Sequence, residues 1–472
     1  MKAYNGQQRS GRTIEIDLPP GNYIPTFTRL GREPQDRAEV SAQVFAPTEP
    51  VSERRLDRRR SLLGLGLLGA CAAAAIFFSP RTPTLSGRPI LRVEISSADA
   101  SDGRAAALRS VFEEAVLEQE TVMLLDANTS TPVSPRIAVA RSSYTLQIIL
   151  QSEAIRWRLA RPDSGEVAAS GEEGLRGGAP AELAQLGRKT AIAVAGVGGP
   201  IQTSELAIWS ADDLGYICVL RAEMAMASRS TSALGSSARC LERTLERREE
   251  SADAHAALAT TYMFLNRLSG DAPQQQSMLA HANRAVELAP TSARAALSQM
   301  SAYYQANRTE EAVSAARRAI ALGAANPETL GKASLVIYLS GRWEEGTKVA
   351  ERATSSAGVY KPVGASLVRM LEAYRTGDFR AAVRRVDEAA RPDPVATLVK
   401  LAALRRLEAE DELKSAVAKA RSQYPDFDKM LLSVANSGRY EKSLASSLGT
   451  PLTEIADQLL RTETAPAQQS SH

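Results

Sequence analysis

Hydrophobic and polar positions follow four successive rhythms along the chain. Residues 1–60 show no period: apolar side chains are scattered among charges and Pro19, Pro20, Pro25, Pro34, Pro47 and Pro50. Such a stretch cannot bury enough surface to offset chain entropy, which predicts a disordered tail with room for one short strand at Thr13–Leu18. Leu62 to Phe78 is an unbroken apolar run. Between residues 88 and 202, alternation of period two is interrupted by stretches of helical period, and beyond residue 205 the helical period dominates.

The apolar run predicts a transmembrane helix over 61–79, at the short end of what crosses a bilayer core of about 30 Å. Arg54, Arg55, Arg58, Arg59 and Arg60 precede it, which holds the N-terminus in the cytoplasm and sends the chain beyond residue 79 across the membrane. A soluble core helix would need a polar face, which this run lacks. A cleaved export signal stays open: Arg59-Arg60-Ser61-Leu62-Leu63 has a twin-arginine pattern and Leu68-Gly69-Ala70-Cys71 a lipoprotein-box pattern. The about 60 residues before the run exceed an ordinary signal n-region and favour an uncleaved, single-pass anchor in the cell inner membrane, with periplasmic C-terminal domains.

Residues 88–202 read as a small α+β domain. Strands are expected at Ile90–Ile95, Val122–Leu125, Tyr144–Gln151, Ile155–Leu159 and Val167–Ala169. Leu108, Val111, Phe112, Ala115 and Val116 line one face of a helix, and Glu182–Val194 forms a second, ended by the Gly196–Pro200 cluster. This is a sheet with helices on one face. Trp157 is expected in its core.

Residues 205–462 repeat. Asn307-Arg-Thr-Glu-Glu-Ala312, Gly341-Arg-Trp-Glu-Glu-Gly346 and Gly377-Asp-Phe-Arg-Ala-Ala382 each mark a turn and the start of a second helix. Ala312 to Gly346 is 34 residues and Gly346 to Ala382 is 36. Small residues follow in register at Ala316/Ala319, Ala350/Ala353 and Val386/Ala389, which lets paired helices approach closely. Gly438-Arg439-Tyr440 echoes the turn near the end, and residues 463–472 read as a disordered tail. Tyr304, Tyr338 and Tyr374 each lie eight residues before the small residue of their repeat. With Arg294 and Arg375 they form a candidate protein-binding ladder, against which stands the reading that the tyrosines fill gaps between helices.

Charge and reactive residues narrow the function. A net charge of +3 over 472 residues offers no basis for nucleic-acid binding. Cys71, Cys218 and Cys240 lack CxxC spacing; free thiols at 218 and 240 rank above a disulfide. His255, His281 and His472 are the histidines, and neither repeat histidine has a nucleophile and base in order beside it. No catalytic residue, cofactor-binding residue or metal ligand is therefore expected, and no nucleotide loop follows a strand.

The repeat period and its small residues resemble tetratricopeptide (TPR) arrays. The order Val93, helix 104–120, Leu124, Tyr144/Leu146 and Asp163-Ser164-Gly165 resembles the TolB N-terminal-like domain, without the aromatic that usually follows that hairpin. Together they are similar to the C-terminal part of bacterial CadC-type and invasion-type regulators and class III adenylyl cyclases, without an output domain. The overall expectation is a mainly α chain: one membrane span, a small α+β domain and a TPR-like solenoid. The resemblance implies a non-enzymatic scaffold that takes a protein or peptide ligand in a groove. The alternative is a signalling protein that acts on a cytoplasmic partner through residues 1–60.

Overall fold

A computed structural model describes residues 14–17, 26–29 and 83–464, apart from 98–102, 126–138, 177–178, 270–273, 357–361, 389–392, 425–426, 429 and 432–439. Contacts divide the chain into two units, residues 1–80 and 81–472. In the first, β1 (Ile14–Asp17) pairs antiparallel with β2 (Thr26–Arg29), Ile14 opposite Arg29. The tail thus carries a two-stranded hairpin where one optional strand was expected. The expected span at 61–79 lies outside the described residues; of the tail expected at 463–472, residues 463 and 464 end a helix and the rest lie outside the described residues.

The second unit begins with β3 (Leu85–Ser86), β4 (Ile90–Ser97), α1 (Arg104–Leu117), β5 (Met123–Leu125), β6 (Ser143–Leu150), β7 (Ala154–Ala160) and β8 (Val167–Gly174). The sheet order is β5-β4-β6-β7-β8, parallel through β4–β6 and antiparallel from β6 to β8. One face alternates inward with Leu91, Val93, Tyr144, Leu146, Ile148, Leu150, Ile155 and Leu159. Onto it pack Leu108, Phe112 and Val116 of α1 and Leu183, Leu186 and Val194 of α2 (Pro180–Ala195). The other face shows Arg92, Glu94, Gln147, Arg156 and Arg158 to solvent. Trp157 is half-buried against this core, and its ring passes so close to Gly171 on β8 that a Cβ there would lie 2.5 Å from it.

Among the described residues one helical stretch, Pro180–Ile208, is long and apolar enough to cross a membrane. It is two helices, α2 and α3 (Pro200–Ile208), broken by the glycines at 196–199, and its apolar face is the lining of the sheet core.

The rest is helical. Pairs run α4 (Tyr216–Ser228) with α5 (Thr231–Arg247), α6 (Ala252–Ser269) with α7 (Gln275–Leu288), and α8 (Ala293–Gln305) with α9 (Thr309–Leu322). Next come α10 (Pro327–Leu339) with α11 (Trp343–Ser356), α12 (Val363–Arg375) with α13 (Phe379–Asp387), and α14 (Pro394–Arg406) with α15 (Glu410–Gln423). The turn motifs at 307, 341 and 377 place their first residue left-handed, Asn307 at φ 58°, Gly341 at 83° and Gly377 at 86°, while Gly438 and Arg439 of the fourth lie outside the described residues. Glycine or asparagine is favoured there because the αL conformation closes the preceding helix. Gly346 is forced by packing, since a Cβ would lie 2.7 Å from Cβ of Tyr338.

The first helices of successive pairs pack on one another, α4 on α6 through to α12 on α14, while second helices of neighbouring pairs do not pack to any comparable extent. The array therefore curves with its first helices inside. It bends until Arg229, in the turn between α4 and α5, meets Asp393, the N-cap of α14. The parallel pair β3 and β9 (Leu214–Gly215) stitches the entering chain to the first helix pair.

Candidate protein-binding site

Two elements of the chain reach the inner layer of first helices. One is the end of α1. The Glu120 carboxylate receives the Ala293 amide at 2.6 Å, the Ser292 hydroxyl at 2.7 Å and the Arg294 amide at 3.2 Å. It thereby caps the N-terminus of α8, where free amides and the helix dipole favour an anion. One repeat further on, Glu118 accepts the Ala325 amide at 2.7 Å, and its carbonyl accepts Asn326 Nδ2 at 2.9 Å. Burial raises the pKa of Glu118.

Beside these caps lies an ion network. Arg88, just before β4, grips Asp253 of α6 with Nε at 2.8 Å and Nη2 at 2.5 Å. Arg294 pairs with Glu223 of α4 and stands 3.8 Å from Asp253, while Gln202 of α3 donates to Glu223 at 2.8 Å. Burial works to raise the Asp253 carboxyl, but Arg88 and then Arg294 outweigh it and hold it below its ordinary value. Arg294, expected on a ligand-binding surface, is thus committed to joining the sheet layer to the array; its side chain is 18% exposed.

The tyrosines line up through the inner layer as their spacing predicts, but two are enclosed. Tyr338 is fully buried, and its hydroxyl donates to Glu372 Oε2 at 2.8 Å. Arg375 clamps the same carboxylate with two bonds of 2.8 Å, and its guanidinium lies 4.5 Å from the centre of the Trp343 ring. Tyr374, equally buried, donates to the Ser447 carbonyl at 2.7 Å and meets Phe379 edge-on at 5.2 Å. Tyr304 is half-buried between two core clusters. At 338 and 374 the side chains are packing, so the choice left open by the sequence falls there to gap filling: the aromatic body fills the seam between helices and the hydroxyl finds an internal partner.

The second element is α16 (Lys442–Thr464), which does not continue the repeat. It crosses the C-terminal ends of first helices: the Glu441 amide donates to the Leu339 carbonyl at 2.9 Å, Tyr374 reaches Ser447, and Arg405 pairs with Glu454 at 3.0 Å. Leu444, Leu448, Leu452 and Ile455 bury one stripe in the same cluster as Leu371, Leu398 and Leu401. Sequence reasoning missed this cover because its apolar spacing is that of any amphipathic helix.

Cys218 and Cys240 form a disulfide between α4 and α5, against the expectation of two free thiols. A signal was available: the cysteines lie eleven residues before and eleven after Arg229, the turn residue, and so face each other across an antiparallel hairpin. His255 Nδ1 stands 2.8 Å from His281 Nδ1, and His255 Nε2 lies 2.9 Å from the Glu249 carbonyl. Burial lowers the pKa of both, and for His281 the neighbouring His255 adds to this. Among the described residues no group of three or more His, Cys, Asp or Glu is placed to hold a metal.

The helical part is therefore a TPR-like solenoid of antiparallel helix pairs with first helices inside, preceded by a small α+β layer. No protein-family model matches the chain. No curated protein matches it. Among solved structures it is similar to PilF of Pseudomonas aeruginosa, at 16% identity and TM-score 0.32, over 48% of this chain and 94% of PilF. It is also similar to YrrB, a TPR protein with an unusual peptide-binding site, at 18% identity and TM-score 0.27, over 40% of this chain and 94% of YrrB. Yeast Tom70 matches at 13% identity and TM-score 0.32, over 61% of this chain and 52% of Tom70.

Proposed function

We propose that the chain is a membrane-anchored, non-enzymatic scaffold that binds another protein on the inner layer of its repeat array, with the array in the periplasm. The Cys218–Cys240 disulfide supports this location, because such bonds persist in oxidising compartments and are rare in the cytosol. It agrees with an apolar run whose arginines precede it and whose folded unit comes after it. The sheet layer, read as TolB N-terminal-like by its order of elements, serves to brace the array through Glu118, Glu120 and the Arg88–Asp253 pair. On this reading the partner's face lies over α6 and α8, around the half-buried Ser301 and Tyr304.

The test is site-specific photo-crosslinking in cells. A photoreactive residue at Ser301 or Tyr304 is expected to trap a protein partner, and one at Arg384, exposed on the outer helix α13, is not. Equal capture at inner and outer positions, or none at either, would remove the reading.

A further inference from the structure

We propose that α16 is a built-in occupant of the array's inner face, and that the face beneath it takes, in its place, an amphipathic helix from a partner protein. The partner helix presents large apolar residues at the spacing of Leu444, Leu448, Leu452 and Ile455, with an acidic residue that meets Arg405. The proposal goes beyond the protein-binding reading, because it concerns the face under α16 and not the face over α6 and α8; its test uses the purified full chain and a peptide, so the failure of either is distinguishable from the failure of the other.

Three observations carry it. The apolar stripe of α16 packs on α14, and polar contacts beside it reach the ends of α10 and α12 at Leu339 and Tyr374, whereas a seventh first helix would pack on α15, the preceding second helix. Polar contacts tie the segment to the array: the Glu441 amide donates to the Leu339 carbonyl, the Tyr374 hydroxyl to the Ser447 carbonyl, and Arg405 pairs with Glu454. Helix-in-groove recognition uses this combination of apolar anchors and a few polar contacts. Finally, α16 is a poor helix by its own sequence. Gly449 and Pro451 sit at its centre among Ser446, Ser447 and Thr450, and Pro451 removes a backbone donor. Its helical form is supplied by the surface it lies on and by the Glu441 carboxylate, which caps it by accepting the Ser443 amide at 2.9 Å and the Leu444 amide at 3.1 Å. A segment ordered only by docking gives up part of its contact energy to ordering, and a better helix-former displaces it. The sources of charge agree: Arg405 is shared between Glu410 of the array and Glu454 of α16, so an incoming helix with a carboxylate there loses nothing.

A fluorescent peptide of residues 441–464 is the probe, read by anisotropy against the full chain and against a full-chain Leu448→Glu/Leu452→Glu variant, whose own α16 no longer seats. The variant is expected to bind the peptide at least tenfold more tightly than the wild type, and a peptide carrying the same two glutamates is expected not to bind. A folded variant that takes up no peptide overturns the proposal. If the variant does not fold, hydrogen exchange of the wild type decides: α16 amides are expected to exchange at least tenfold faster than those of α12 and α14, and equal protection makes α16 ordinary core. Wild-type dimers that form through exchanged α16 helices would overturn the partner helix in favour of a second copy.

Discussion

Replacing Tyr338 by phenylalanine separates packing from capture. The ring stays and only a hydroxyl is lost, from a side chain with no solvent exposure. That hydroxyl donates to Glu372, a carboxylate whose side chain is 27% exposed and which Arg375 also holds. Hydrogen bonds to charged groups contribute about 1.5–3 kcal/mol. Because Glu372 keeps Arg375, the lower part of that range applies, and Tyr338→Phe is expected to destabilise the chain by about 1–2 kcal/mol. A double-mutant cycle with Glu372→Gln, read by urea unfolding, is expected to show about 1 kcal/mol of coupling between the two sites. If Tyr338→Phe changes stability by less than about 0.5 kcal/mol and the coupling vanishes, the hydroxyl is wet and the ladder faces solvent after all.

The same contacts have other consequences. Gly346→Val should destabilise by about 1–3 kcal/mol through overpacking against Tyr338, measured by thermal melting against a Gly377→Ala control, whose Cβ meets open space but whose φ of 86° adds strain. Cys218→Ala with Cys240→Ala, which opens a link between residues 22 apart, should cost about 2–4 kcal/mol in unfolding free energy. Glu120→Ala removes the cap on α8 and should cost about 1–2 kcal/mol, visible as faster hydrogen exchange in the first turn of that helix. His255 and His281 have lowered folded pKa values, so the unfolded chain binds more protons just below the ordinary histidine value near 6.5. The stability they support is whole above that value and falls as pH drops through the window beneath it, and His281→Gln should flatten the slope of melting temperature between pH 7 and 5.

What the sequence made legible is what repeats or alternates. Alternation and β-prone composition located the five strands of the main sheet, and the 34- and 36-residue spacings placed the three helix pairs from α8 to α13, because each element buries one face. The ladder was legible as a row of equivalent positions but not as buried, since periodicity assigns a face to a residue and not what covers that face. Tyr374 is enclosed by a helix that begins 68 residues further on at Lys442. Arg88 with Asp253, 165 residues apart, and Glu120 with Ala293, 173 apart, left no local mark at all. Charged residues at a helix end and a loop look alike whether they meet water or each other. The disulfide was legible once the turn residue was known, because antiparallel helices pair positions symmetric about their turn.

The proposed function requires the repeat array to lie across the membrane from the N-terminal arginines. Fusions of alkaline phosphatase and of a fluorescent cytoplasmic reporter after Gln43, Gly87 and Ala465 test that placement. Phosphatase activity after Gly87 and Ala465, and none after Gln43, is the expected outcome. Inactive phosphatase throughout, with bright cytoplasmic fluorescence after Ala465, would refute it and put the array and its partners in the cytoplasm.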